Sequence, residues 1–402
     1  MLVGIGLLAV PLAFAHAGWV LGAFLIFSYG SISCYTYVLE LFAWSGSYMV
    51  SSAKILGRII LSDPSLRCYT DVGRKAFGPW ATPMISIMFC LELFAVSVLL
   101  MTLYADSLHS LLPHISAYTY KLWSLVILLP TVFLPLSRLS YSSILGILST
   151  TLIIFVIFVD GLTKQNTPGS LWDPAETTMG FSSWSNLGIA FGLFIAGFGC
   201  HPLVPSLARD MIEPHKFERM INLAFAIATA IYALLAVAGY LMFGNAVSGE
   251  ISIDLLKTSG YYKPLNHLAI WMLVLSPLSK FALTIQPLTA TLDILLRIDS
   301  PFLSSIEEMK LSGAQTSREN VKRGLRIVLR ICVSVLSVMV SILVPGFSRI
   351  LAFLGCSSAF VLCVIGPLAA KASILERCGI LDGTIIVLAS SMAVWGTVAL
   401  IL

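Results

Sequence analysis

The sequence predicts an all-α, polytopic membrane protein with about eleven transmembrane helices. Hydrophobic residues make up 58% of the 402 residues and charged residues only 11%, whereas an average soluble domain is about 25% charged. Apolar stretches recur along the whole chain at the length of about 20 residues that a membrane helix needs. Two of these stretches contain a Gly-x-Gly pair, which indicates irregular backbone within the membrane.

Each predicted span is an apolar stretch bounded by polar or turn-forming residues. The spans cover approximately residues 1–16, 18–44, 82–105, 122–137, 143–162, 186–207, 220–243, 265–296, 325–344, 347–370 and 382–402. The fourth span is short, and Pro130 and Pro135 lie near its end. The eighth is long enough to tilt strongly in the bilayer.

The basic residues predict how the chain is oriented in the membrane. With the N-terminus in the cytosol, 18 Lys and Arg residues fall in cytosolic loops and five in the opposite loops. Lys280 lies inside a span and completes the 24 basic residues. Because cytosolic loops are enriched in Lys and Arg, this asymmetry predicts a cytosolic N-terminus and a C-terminus on the other side.

The two Gly-x-Gly pairs are the strongest candidates for a binding site. Gly4–Gly6 is followed by Pro11, and Gly197–Gly199 is followed by Pro202. Glycine weakens a helix and proline removes a hydrogen-bond donor, so both helices are expected to be interrupted. Free N–H groups where a helix restarts suit a carboxylate. Alternatively, each pair serves only to let two helices pack closely; one pair in each half favours an inverted repeat with a shared site.

Three ionisable residues lie within the predicted spans, where charge is costly and usually functional. Lys280 is central in the eighth span and Glu92 in the third. Each is a candidate for proton or ion coupling. Alternatively, Lys280 is a permanent charge tied to a carboxylate for structure, with Glu92 as the candidate partner, and Glu92 is a satisfied packing carboxylate. His201 follows the second Gly-x-Gly pair; it suits proton relay, but a lone histidine is more often a structural donor. Asp106, Asp160 and Asp293 lie near span ends and are expected to meet water.

Several classes of function lack any signal in the sequence. There is no nucleotide-binding Gly-rich loop, no nucleophile elbow and no pair of carboxylates at hydrolase spacing, so no enzyme activity and no catalytic residues are predicted. Cysteine and histidine spacing predicts no metal site and no cofactor. No basic tract with interleaved aromatic residues predicts nucleic-acid binding.

Several stretches resemble the amino acid/auxin permease family, and most closely its vacuolar amino acid transporters of plants and fungi. The first is residues 4–19, which looks like the opening helix of these permeases. The supporting stretches are residues 69–78, 91–93, 197–202 and 277–281. The resemblance implies the five-plus-five inverted-repeat fold of the bacterial leucine transporter with one extra helix. It also implies proton-coupled transport of neutral amino acids across the vacuolar membrane, with the plasma membrane as the alternative.

Combined with the resemblance, the interruptions predict how an amino acid would be held. Its carboxylate would meet N–H groups near the first pair, and its ammonium would meet carbonyls near the second. The candidate substrate-binding residues are Gly4, Ile5, Gly6, Leu7, Ala196, Gly197, Phe198 and Gly199. The candidate coupling residues are Lys280, Glu92 and His201. The expected partners are an amino acid, protons or sodium, and the lipid bilayer.

The expected organisation is one transmembrane domain over residues 1–402. Helices 1–5 occupy residues 1–162, helices 6–10 occupy 186–370, and helix 11 occupies 382–402. Residues 297–324 are expected to form a cytosolic loop, because they are the only long polar stretch of mixed charge.

Two stretches depart from the pattern of the family. Met1 lies three residues before Gly4, so most of the half-helix that precedes the first interruption in the family is expected to be missing. Residues 37–52 look inserted between stretches that the family reads continuously. These departures leave a non-functional splice product as one alternative to transport. The other is an amino-acid sensor of the same fold, with the loop at 299–322 as its docking surface.

Overall fold

A computed structural model describes residues 4–34, 52–63, 66, 68–134, 136–296, 312–344, 346–375 and 379–401. The described residues are helical or irregular and contain no β-strand. The predicted insertion at 37–52 lies outside this part of the chain, apart from its last residue, Ser52. Of the predicted loop at 297–324, residues 297–311 also lie outside it, whereas a helix begins at Ser312.

The α-helices are numbered here in chain order. They are α1 (Val10–Cys34), α2 (Ser52–Ser62), α3 (Tyr69–Phe77), α4 (Ala81–Leu111), α5 (Ala117–Leu128), α6 (Leu136–Thr163), α7 (Trp184–Gly197), α8 (Val204–Asp210), α9 (Phe217–Phe243), α10 (Ile251–Lys257), α11 (Lys263–Leu295), α12 (Ser312–Leu343), α13 (Phe347–Leu354), α14 (Gly366–Leu375) and α15 (Ile380–Ile401). Short 3-10 turns cover Ile5–Ala9, Leu129–Phe133, His201–Leu203, Pro214–Lys216 and Gly244–Ala246, and two π-helical turns, Gly355–Ala359 and Val361–Ile365, join α13 to α14.

The all-helical, membrane-spanning class is confirmed. Among the described residues, nine helical stretches are long and apolar enough to cross a membrane, and Ala117–Phe133 is a shorter apolar helix. The exact count of eleven is not confirmed. The stretch Ile5–Gly30, which contains most of the first predicted span and part of the second, counts as one, and the helix at the fourth predicted span is among the shorter ones.

A sharp break at Gly18 separates those first two predicted spans. Its φ of 72° lies in the left-handed region, which L side chains rarely adopt. A methyl group at this position would lie 2.3 Å from the carbonyl oxygen of Gly180. The next two N–H groups leave the helix ladder: Trp19 donates to Thr178 O at 3.1 Å and Val20 to Met179 O at 3.2 Å. The chain therefore turns here against the loop before α7.

The described helices fall into two compact units. The first comprises Met1–Ile85, Thr150–Ile270 and Gly346–Leu402. In it, α7 packs against α1, α13 and α15. Glycine allows the closest approach: a methyl group on Gly192 would lie 2.3 Å from Ala352 O. Aromatic rings fill the space between α1, α7 and α9, with Phe14 5.6 Å from Phe194 and Trp19 5.0 Å from Tyr240 between ring centroids.

The second unit comprises Ser86–Ser149 and Trp271–Pro345. Hydrogen bonds between its helices satisfy polar groups inside the apolar segments, as lipid requires. Lys121 Nζ donates to Ser341 O at 2.5 Å, and the hydroxyls of Ser97 and Ser337 lie 2.7 Å apart. The faces away from these contacts carry exposed apolar side chains such as Val126 and Met339, which suits contact with lipid tails.

Candidate functional site

The first interruption lies at the start of the described chain. Gly4 has φ −146° and ψ −142°, which is outside the helical region. A single 3-10 turn, Ile5–Ala9, follows, with Leu7 N–H donating to Gly4 O at 3.2 Å. Regular α-helix begins only at Val10. The segment that was predicted to present N–H groups is therefore irregular backbone leading into a helix N-terminus.

The second interruption divides the sixth predicted span. Helix α7 ends at Gly197, and Phe198 and Cys200 leave helical geometry with φ/ψ of −100°/9° and −124°/0°. A 3-10 turn then leads into α8, and each of these two short elements carries a proline in its first turn. Proline is tolerated at the start of a helix because its missing N–H is not needed there. Both interruptions thus lie where the glycine and proline pattern predicts them.

The two interruptions touch each other within the first unit. A methyl group on Gly6 would lie 3.0 Å from Gly197 Cα and 3.3 Å from Gly197 N. Such contacts with backbone atoms cannot be relieved by a side chain moving aside. The glycine at position 6 is therefore needed for the close approach of the two chain segments, and at these positions the packing role and the interrupted backbone occur together.

The hydroxyl group of Tyr232, on α9, connects the two interruptions. The hydroxyl donates to Gly197 O at 3.0 Å, and its own oxygen accepts from the backbone N–H of Gly4. The tyrosine is 1% exposed, and its ring packs edge-on against Phe198 with 5.3 Å between centroids. Sequence reasoning missed this residue, because a tyrosine in an apolar helix carries no local signal of its partners.

The backbone groups of the second interruption are partly used inside the protein. Phe198 N–H donates to Ile195 O at 3.0 Å, Gly199 N–H to Ala196 O at 3.4 Å, and Cys200 N–H to Phe198 O at 3.0 Å. A carbonyl oxygen can accept two hydrogen bonds, so these groups keep acceptor capacity for a ligand.

The remaining predicted binding residues differ in their access to solvent. Leu7 and Phe198 are buried at 0% and 1% exposure. Ile5, Ala196 and Gly199 are only partly buried. At the second interruption, the partly exposed positions are therefore the small residues Ala196 and Gly199, whereas Phe198 is buried.

His201 joins the second interruption to α2. The side chain is fully buried, and its Nε2 lies 2.8 Å from Ser52 Oγ. Its ring centroid is 5.9 Å from that of Phe225. Its Nδ1 has no hydrogen-bond partner among the described residues. These contacts agree with a histidine that holds the 3-10 turn of the second interruption against α2. A role in proton relay, for which Nδ1 is available, stays a prediction.

The other two coupling candidates belong to the second unit. Glu92 on α4 is 7% exposed, and within the described residues its Oε2 has no partner. Lys280 on α11 lies against α6, where a methyl group on Gly146 would come within 2.8 Å of Lys280 Cε. The described residues include no ion pair between Glu92 and Lys280, so the idea that they form a mutual pair gains no support.

Comparison with solved structures defines the fold. The chain resembles a Na⁺-coupled sialic acid symporter, solved in a substrate-bound outward-open state, with a TM-score of 0.51 over 98% of this chain and 86% of that one. The two sequences are only 14% identical, so this likeness concerns the fold alone. The chain therefore has a multi-pass helical fold of the leucine-transporter type, with interrupted helices in its first unit.

The sequence then identifies the family. The model of the family described as transmembrane amino acid transporter protein matches residues 1–402, and the chain belongs to this family. This confirms the resemblance drawn from residues 4–19, and the family is one of transporters rather than enzymes.

Named relatives from Arabidopsis thaliana agree with this assignment. Amino acid transporter AVT1E is 28% identical over 391 residues, and amino acid transporter AVT1D is 29% identical over 415 residues. These matches cover 94% and 99% of this chain. The chain spans 65% and 66% of the length of these two relatives.

Proposed function

We propose that this protein is a secondary active transporter that moves neutral amino acids across a membrane by alternating access around the two interrupted helices. The observation that carries this proposal is the direct contact of the interruptions at Gly6 and Gly197. Membrane transporters place irregular backbone at such points because peptide groups released from a helix can bind a charged ligand. Family membership supports an amino acid as that ligand.

The zwitterion would bind to backbone groups of both interruptions. Its carboxylate would meet the N–H groups at Gly4–Leu7, where the positive end of the helix dipole of α1 favours an anion. Its ammonium would meet carbonyl oxygens at Ala196–Gly199, which retain acceptor capacity. Phe198 would contact the substrate side chain, and its apolar surface favours neutral substrates over charged ones.

The proposed driving force is a proton gradient, with sodium as the alternative ion. Lys280, Glu92 and His201 are the proposed coupling residues, because an ionisable group inside a membrane protein is a default candidate for ion movement. The proposed location is the vacuolar membrane, or otherwise the plasma membrane, with the N-terminus in the cytosol.

Uptake of radiolabelled amino acids by purified protein in proteoliposomes tests this proposal directly. We expect neutral amino acids to accumulate when a pH gradient is imposed, and the accumulation to collapse when the gradient is dissipated. For coupling to one proton, one pH unit drives at most about tenfold accumulation. Saturable amino acid binding without flux would instead support the sensor of the same fold, and neither binding nor flux would support a non-functional product.

Replacing Lys280 by alanine should remove the dependence of amino acid uptake on the pH gradient, while the variant protein is still expressed at the normal level. An ammonium group in an apolar helix either exchanges a proton or takes the place of a bound cation, and alanine does neither. The control is Lys257→Ala, because Lys257 is exposed on α10. Unchanged coupling in the Lys280 variant, measured by uptake at several imposed gradients, would exclude this residue from the mechanism.

A further inference from the structure

A carboxyl group without partners is buried near the end of α6. Asp160 was expected to meet water, but it is 0% exposed. Within the described part of the chain, neither of its carboxylate oxygens has a hydrogen-bond partner. A buried carboxylate without hydrogen bonds or a countercharge is strongly unfavourable, so something must compensate for it.

The loop that follows α6 folds back onto the end of the helix that carries this carboxyl group. Leu171 N–H donates to Gly161 O at 2.8 Å, and the indole N–H of Trp172 donates to Leu162 O at 2.8 Å. Ser170 Oγ donates to Lys164 O at 2.7 Å. These bonds hold the loop against the last turn of the helix, and they use backbone groups rather than the Asp160 side chain.

A polar side chain beside Asp160 is also buried. Asn266, in the first turns of α11, lies beside the Asp160 carboxyl, together with the backbone N–H of Tyr262. Asn266 is 1% exposed, and in the described structure neither its amide nitrogen nor its amide oxygen has a hydrogen-bond partner. A buried carboxyl group and a buried carboxamide therefore lie side by side without a hydrogen bond of good geometry between them in the described structure.

The charged and titratable groups around this pair do not neutralise it. Lys164 Nζ donates to Pro168 O at 2.7 Å and lies 5.4 Å from the ring centroid of Tyr261. The Tyr261 hydroxyl donates to Gly169 O at 2.6 Å. Burial, and then the charges of Asp160 and Asp254, raise the pKa of Tyr261 well above its usual range, so this hydroxyl stays neutral. Among the described residues, no cationic side chain forms an ion pair with Asp160.

Asp254, another buried carboxyl group that acts on Tyr261, differs from Asp160 because its oxygens accept hydrogen bonds. It is 8% exposed and accepts bonds from Ser248 N–H at 2.8 Å and from Ser248 Oγ at 2.5 Å. Burial raises the pKa of Asp254, and the hydrogen bonds from Ser248 oppose that shift. Asp254 thus accepts two short hydrogen bonds, whereas the groups beside Asp160 in the described structure, the Asn266 amide and the Tyr262 N–H, do not reach hydrogen-bond geometry with it.

We propose that Asp160 and Asn266 form a proton-binding site at the end of α6. With a proton bound, the carboxyl group is neutral and donates to the Asn266 oxygen, while the Asn266 amide donates to the other carboxyl oxygen. No bond to carbon changes, and the proton comes from the solvent when the loop that follows α6 opens. On the predicted orientation this end faces away from the cytosol. Use of the site in coupling rests on the proposed transport function, whereas the site itself does not.

Thermal unfolding of the purified full chain in detergent tests the site without any transport assay. A group that binds a proton more tightly in the folded state stabilises the fold at low pH, and this stabilisation is lost as the pH rises. We expect the melting temperature of the wild type to fall as the pH is raised from 5 to 8. Asp160→Asn, which mimics the protonated form, should lose part of that shift. Asp173→Asn, in the exposed part of the same loop, should keep it.

Two results would overturn the proposal. One is an Asp160→Asn variant with the same dependence of melting temperature on pH as the wild type. The other is stabilisation of the wild type by NaCl but not by choline chloride at equal ionic strength, lost in the variant, because the site would then hold sodium instead of a proton. If Asp160→Asn does not yield folded protein, Asp160→Ser gives the same comparison. Proteoliposomes then measure whether the variant weakens the dependence of uptake on pH.

Discussion

Replacing Gly6 by alanine should reduce amino acid uptake by at least about tenfold, which corresponds to about 1.4 kcal/mol. The added methyl group would lie 3.0 Å from Gly197 Cα, and the backbone at this contact cannot yield as a side chain could. Overpacking of this kind typically costs about 1–3 kcal/mol. Here the cost falls on the contact between the two interruptions, so the proposed binding geometry is lost.

Initial uptake rates in proteoliposomes measure this effect, and size-exclusion chromatography checks that the variant remains folded. The control is Gly383→Ala on α15, where a methyl group would meet nothing within 4 Å. That variant should transport like the wild type. A folded Gly6→Ala protein with wild-type uptake would show that the contact at Gly197 has no role in transport.

The positions of the two interruptions could be predicted because their causes are local in sequence. Glycine and proline change the backbone at their own positions, so the pattern around Gly4–Gly6 and Gly197–Gly199 is informative without knowledge of any neighbour. The structure breaks at Gly18, next to the predicted boundary between the spans 1–16 and 18–44. The apolar spans were equally predictable, because length and hydropathy are sums over consecutive residues.

Side-chain partners could not be predicted, because they depend on contacts between distant segments. Asp160 and Asn266 are about a hundred residues apart in sequence, a separation that no periodicity reports. The expectation that Asp160 meets water was wrong: its side chain is 0% exposed, and the following loop bonds back to the same end of the helix through Leu171 and Trp172. His201 was predicted as a candidate, but its contact with Ser52 depends on the packing of α2 against α8, the helix that follows His201.

Replacing Tyr232 by phenylalanine should raise the substrate concentration for half-maximal uptake by about tenfold, with a smaller effect on the maximal rate. The variant keeps the ring that packs on Phe198 and loses only the hydroxyl. Gly197 O then lacks its donor, and Gly4 N–H lacks its acceptor. An unsatisfied buried polar group costs about 1–3 kcal/mol, and each 1.4 kcal/mol corresponds to a factor of ten in affinity. The interruptions would then have to be ordered by the substrate itself, which weakens binding.

Tyr240→Phe provides a matched control on the same helix. Tyr240 is also fully buried, and its hydroxyl bonds Thr178 and Asn245 rather than the interruptions. Both variants should lose stability in thermal unfolding, because each leaves buried polar groups without partners. Only Tyr232→Phe should change the half-saturating concentration. Equal half-saturation in the two variants would mean that the Tyr232 hydroxyl stabilises the fold without positioning the proposed site. A selective change would assign to Tyr232 the task of holding Gly4 and Gly197 in register before the substrate arrives.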